Sequence, residues 1–195
     1  MIGYPEFAEV DGKRYKINTD FKYAIRCEEI SQDKTIGDYE RTLAIIYILF
    51  GDEGLNDVYN HNELIKYAIK YLSCNKDLSD NENNKVDMDY IEDYPYIKAS
   101  FRSDYGINLD KETMHWWEFY DLLCGLSNSE LGNCCILNRI RNLRNYDVSK
   151  IQDDKMREDI IKSQEKFALK KYKKENNLTS EEEESMRLFN EQAGI

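Results

Sequence analysis

Two histidines and five cysteines are the first residues to weigh for chemistry. His115, Cys124, Cys134 and Cys135 stand within one stretch of the chain, and imidazole with thiolate is the donor set of a zinc site. The spacing argues against it: there is no C-x-x-C, and adjacent Cys134 and Cys135 leave a helix in different directions. A cysteine nucleophile with a histidine base has its ingredients but no local signature. The cysteines also fall on apolar helical faces, where thiols are inert. Asp87, Asp89, Glu92 and Asp93 are dense enough to imitate an acid pair, but a solvated acidic helix start has the same composition. No glycine-rich phosphate loop, Walker or kinase pattern is present. The expectation is a protein without enzymatic activity, cofactor or metal.

What remains is chemistry of association. Arg139, Arg141 and Arg144 cluster at a predicted helix end, where they either satisfy the last carbonyls or meet an acidic partner. Beyond them, Met156, Ile160, Ile161, Phe167, Ala168 and Tyr172 make a narrow apolar stripe on a charged helix over residues 153–174. Leu178, Thr179 and Ser180 lead into a glutamate run that suits a helix start, followed by Met186, Leu188 and Phe189. A narrow stripe flanked by Lys and Glu docks against another helix, or closes on the chain's own core. Arg139, Arg141, Arg144, Ile160, Phe167, Tyr172, Met186 and Phe189 are therefore the candidate partner-binding residues.

These residues need a scaffold, and residues 110–126, DKETMHWWEFYDLLCGL, are its predicted hub. Asp110 reads as a helix cap and Gly125 as a helix end. Trp116, Phe119, Tyr120 and Leu123 share one face, with His115, Leu122, Leu126, Trp117 and Cys124 on its flanks. A helix apolar nearly all round is buried. The predicted structural core is Phe101, Tyr105, His115, Trp116, Trp117, Phe119 and Leu123.

Around it, residues 7–17 read as a β-hairpin, with Asp11-Gly12 supplying the positive φ angles of its turn. A lone hairpin is marginal in water, so it must lie on a helix. Asn18-Thr19 caps a helix over 20–30 that faces inward through Phe21, Ala24 and Ile25. The run LAIIYILF within 41–50 fits a buried strand or a buried helix; its polar lead-in and closing Gly51 favour the helix. Residues 51–60 read as a loop. Residues 61–74 read as an amphipathic helix, with Leu64, Ile65, Ala68, Ile69 and Leu72 inward. Residues 75–87 are polar and acidic, a linker or loop. Residues 89–105 form a helix with Pro95 in its first turn or at a kink, and Ile97, Phe101 and Tyr105 on one face. Ser127-Asn128-Ser129-Glu130 matches a capping box opening a helix to about Arg144.

The whole is a mainly α fold with an N-terminal β-hairpin and a protruding C-terminal helical segment. Its helical domain covers 1–148, with the acidic linker 75–87 inside it, and a C-terminal extension covers 149–195. The part before the linker is near the lower size for a stable core, so both sides of the linker should pack together. Few prolines and glycines, two and nine, agree with helices rather than turn-rich β structure.

Net charge is −11, unevenly placed. Residues 1–138 carry 14 basic and 26 acidic side chains, residues 139–174 carry 12 and 6, and residues 175–195 carry 1 and 6. The acidic bulk speaks against nucleic-acid binding. The odd cysteine count suits reduced thiols in a cytosol, and the N-terminus lacks a basic and apolar leader. The longest apolar run is far short of the roughly 20 residues a membrane span needs.

Two segments resemble a known family. DYPYIKASFRSDYGINLD followed by MHWWEFYDLLCGLSNSELG is similar to the "gene product fifteen" family of tailed phages and prophages of Gram-positive bacteria. The most specific pieces are Phe101, Tyr105-Gly106-Ile107 and Leu109, then His115-Trp116-Trp117 with Phe119; the later helix with Arg139, Arg141 and Arg144 also fits. Members are generally encoded beside the tape-measure protein. The resemblance implies a non-enzymatic tail assembly chaperone that binds the helical tape-measure protein during long-tail morphogenesis. The alternative is a structural tail-completion or connector component of the virion. It implies the tape-measure protein as partner, with the tail-tube protein and a second copy as further ones. It places the protein in the host cytoplasm and outside the mature virion.

Overall fold

The computed structural model describes residues 3–76, 86–128 and 134–170. It is mainly helical, with one two-stranded antiparallel sheet. Strands β1 (Phe7–Val10) and β2 (Lys13–Lys16) pair with Ala8 opposite Tyr15. Asp11 and Gly12 between them take φ of 48° and 75°, as the turn requires. Period-two alternation puts Ala8, Val10, Tyr15 and Ile17 inward. The hairpin lies on α3 (His61–Leu72), where Tyr67 donates its hydroxyl hydrogen to the Phe7 carbonyl.

Helix α1 (Phe21–Gln32) is capped by Asp20, whose carboxylate accepts the Lys22 N–H, and not by the expected Asn18-Thr19 pair. Those two are occupied elsewhere. Asn18 bonds the Ile48 and Leu49 carbonyls, and the Thr19 carbonyl accepts from Trp116. Phe21, Ala24 and Cys27 face inward.

Residues 41–50 are helical, inside α2 (Asp38–Asn56). Gly51 does interrupt it, at φ 64° and ψ −158°, a conformation that favours glycine. The chain then resumes a helical stretch to Asn56 and a 3-10 turn at Val58–Asn60, where a loop was expected. On α3 the buried set is His61, Leu64, Ala68 and Tyr71; Ile69 is 50% exposed, because the neighbouring Tyr71 takes the inward position.

Helix α4 (Tyr94–Tyr105) starts later than Asp89, with Pro95 in its first turn and a turn over residues 90–93 before it. Gly106 ends it at φ 72°. Helix α5 (Trp116–Cys124) is shorter than expected at its front. Asp110 caps nothing there. His115 is the cap, its Nδ1 accepting the Trp117 N–H. The reason is a backbone bridge: Phe21 donates to the Met114 carbonyl and Trp116 to the Thr19 carbonyl, which holds residues 114 and 115 extended.

Helix α6 (Ile136–Asn145) opens at Cys135, not at a Ser127 capping box. Asn128 is instead bridged to Cys134 in an antiparallel pair; Glu130 and Leu131 of the expected box and helix lie outside the described residues. Helix α7 (Asp154–Phe167) begins at the Asp153 cap and ends at extended Ala168. Its expected continuation through Tyr172, and Met186, Leu188 and Phe189, lie outside the described residues, as do residues 77–85 of the acidic linker.

One core cluster draws on both sides of that linker, from Ala8 of the hairpin to Leu137 of α6. Phe119 is its centre. It stacks on Phe21 at 4.7 Å, on Phe101 at 5.1 Å and on Trp116 at 5.6 Å between ring centroids. Buried aromatic pairs of this kind add about 0.5–1.5 kcal/mol each beyond their area.

Candidate partner-binding site

The tryptophan helix does structural work at both of its indoles. Trp116 Nε1 donates to the Leu72 carbonyl at 3.0 Å and Trp117 Nε1 to the Tyr71 carbonyl at 2.9 Å. These are carbonyls of the last turn of α3; that of Tyr71 also accepts the Cys74 N–H. The expected core residues Phe101, Trp116, Phe119 and Leu123 are buried. Tyr105, His115 and Trp117 are half-buried, because each ends on a polar partner. Tyr105 donates to the Leu122 carbonyl. His115 accepts at Nδ1, so its Nε2 carries the hydrogen and donates to the Pro5 carbonyl at 3.1 Å. With both ring nitrogens committed and Tyr4 stacked on it at 4.9 Å, the imidazole has no free electron pair for a metal or substrate.

Two of the five thiols are kept protonated. Burial pushes Cys27 and Cys74 up to about 12, far from thiolate at neutral pH. Cys135 is spent as the α6 cap, its sulfur accepting the Asn138 N–H. Cys124, expected on an apolar flank, is exposed. No group of three or more potential metal ligands exists among the described residues. A depression beside the hairpin, of about 560 Å³, is open and lined by Glu6, Glu9 and Arg14 among others.

The acidic stretch that imitated a catalytic pair is a platform for α6 and α7. Asp93 is 1% exposed and receives both terminal nitrogens of Arg144, at 2.7 and 2.8 Å. Its Oδ2 also accepts the Asp89 N–H at 3.0 Å. Asp89 in turn accepts the Ile91 and Glu92 N–H groups. Asp87 takes Arg141 Nε at 3.2 Å and Asn145 at 3.0 Å. Glu92 takes the Lys170 N–H at 2.8 Å. Only a buried bidentate pair with its remaining positions filled tolerates such loss of water.

The three arginines thus do not form one surface cluster. Arg139 is exposed, and Arg141 is half-buried against Asp87 and Asn138. Arg144 is turned inward, 9% exposed, and beyond Asp93 it bonds the Asp87 carbonyl and, through Nε, the Phe167 carbonyl, each at 2.7 Å. A guanidinium so occupied offers a partner nothing, which corrects its place among the partner-binding candidates. Its signal in the sequence was a buried helix face: Leu137, Ile140 and Arg144 recur at helical spacing.

Helix α7 lies against α6 through the half-buried Ile160 and Phe167, while Met156 is 54% and Ile161 38% exposed. The residue that seats it was missed by the apolar pattern. Gln164 Nε2 donates to the Leu143 carbonyl at 2.9 Å and to the Tyr146 carbonyl at 2.8 Å, at the open end of α6. Leu169, just past the helix, is 4% exposed.

Around α6 and α7 the exposed residues include Arg139, Met156 and Ile161, with Ile136 at 39% and Tyr146 at 48%. No helix among the described residues is long and apolar enough to cross a membrane. A family model described as "Bacteriophage Gp15 protein" matches residues 4–169, which ends at the buried Leu169. No curated protein and no solved structure matches the chain.

Proposed function

The chain belongs to the bacteriophage Gp15 family, and from that premise we propose that it is a tail assembly chaperone. It binds the helical tape-measure protein during long-tail morphogenesis, in the host cytoplasm, and leaves before the virion matures. The observation that carries this reading is α7, an amphipathic helix whose apolar residues Met156 and Ile161 stay half in water on an otherwise charged surface. A long helical client with apolar stripes needs such a docking element. The body supports the role by what its residues are committed to: aromatic packing, backbone caps and ion pairing, with the titratable groups of residues 87–93 tied into the fold.

Co-expression with the tape-measure protein of the same phage tests the reading. A complex is expected that weakens when Met156 and Ile161 are both replaced by Ser. Mass spectrometry of purified virions should find no stoichiometric copies. Stoichiometric copies in mature particles would overturn the chaperone and favour a tail-completion or connector component instead.

A further inference from the structure

Among the described residues, the main core cluster ends at Leu137 of α6. Helix α7 itself buries no side chain fully. Its specific bonds are at its far end: Gln164 to the Leu143 carbonyl of α6 and the Tyr146 carbonyl just past it, Arg144 to the Phe167 carbonyl, and the Lys170 N–H to Glu92. Ile140, Ile151 and Leu169 are buried in this region yet stand outside the main cluster. The connector from Tyr146 to Asp153 carries one 3-10 turn, Val148–Lys150, between extended residues Tyr146, Asp147 and Ile151.

We propose that α7 is an exchangeable arm, and that the α7 of a second copy of this chain takes the same seat on α6. The seat selects its occupant. A foreign helix fills an apolar groove easily, but here it must also bring an amide to the Leu143 and Tyr146 carbonyls and a free carbonyl to Arg144 one turn later. A second copy supplies all of them in register. Closed and exchanged forms make the same bonds, so their balance is set by tethering. A short tether acts like a concentration of roughly 1 mM. The arm therefore sits on its own body at micromolar protein and crosses to a neighbour when copies are crowded. This inference does not depend on the tail reading.

Shortening the connector tests it. Gln164 lies against the Tyr146 carbonyl at 2.8 Å. Asp154 is about 15 Å farther along α7 by helical rise. Deleting residues 147–152 leaves two links between Tyr146 and Asp154, reaching about 7 Å at most. The own seat then lies out of reach while the neighbour's stays open. Light scattering should show the full-length chain as monomer at micromolar concentration and the deletion variant as dimer, with helical circular dichroism per residue unchanged. Adding Gln164→Ala and Leu169→Ala to the deletion should return it to monomer. A folded but monomeric deletion variant overturns the proposal, as does a dimer that survives loss of Gln164 and Leu169. If the deletion variant does not fold, the unaltered chain decides. Refolded at about 1 mM and diluted, it should carry a slowly decaying dimer; monomer alone overturns the proposal.

Discussion

The aromatic centre around Phe119 and the α6–α7 joint around Arg144 solve the same problem by opposite means. At Phe119, three ring stacks and the burial of Phe21, Phe101 and Trp116 hold α1, α4 and α5 together. At Arg144, one guanidinium gathers a carboxylate and two backbone carbonyls beside the buried side chains of Ile140, Ile151 and Leu169. Apolar burial is non-directional and tolerates small shifts; a bidentate pair with filled positions is directional and fails as a unit. The lesson is that the body is built to stay and the joint is built to be exact about what it holds.

Four substitutions sharpen or break that contrast. The largest effect is expected at Phe119→Ala, which opens a cavity in the centre and should cost about 3–5 kcal/mol in urea denaturation, with loss in every probe at once. Asp93→Asn should cost about 3 kcal/mol, the low end for a buried pair broken from one side, since Arg144 keeps two carbonyl acceptors. Hydrogen exchange should speed in α7 before α5 in that variant. If both helices loosen together, the two regions are one unit and the contrast fails.

A smaller effect is expected at Asp104. Its carboxylate accepts the Ser127 N–H at 2.8 Å, and that bond holds its carboxyl below the usual range. A group with a lowered folded value contributes above its unfolded value, near 3.9, and loses that contribution as pH falls through the folded value. Stability followed from pH 5 downward should therefore fall less steeply below about pH 4 in Asp104→Asn. The smallest effect is at Tyr71, 2% exposed, whose buried hydroxyl has no hydrogen-bond partner among the described residues. Removing an unsatisfied hydroxyl relieves a desolvation cost, so Tyr71→Phe should leave Tm unchanged or slightly raised. A clear loss of stability would mean that this hydroxyl holds a partner after all.

The elements the sequence makes legible are those whose signal is local. The hairpin turn at Asp11-Gly12, the stop at Gly106 and the buried faces of α2 and α5 follow from backbone preference and periodicity. The starts of α5 and α6 were not legible. The first is set by a distant strand-like contact, Thr19 with Trp116, and the second by a bridge six residues across, Asn128 with Cys134, and each overrides the expected capping residues. The association residues were legible only in part. A stripe of apolar positions marks α7, but its anchor is a polar Gln164, and local pattern carries no record of which carbonyls it meets. Arg144 reads as surface charge until Asp93, far off in the chain, is placed beside it.

The backbone bridge between Asp20 and His115 bears on the order of events during synthesis. A bacterial ribosome adds about 5–20 residues per second, so several seconds separate the emergence of α1 from that of α5. Through that interval Phe21 lacks Phe119, and the last carbonyls of α3 lack their indole donors. The nascent N-terminal half thus waits with an open aromatic socket, and the arrival of Trp116 and Trp117 closes it in one step.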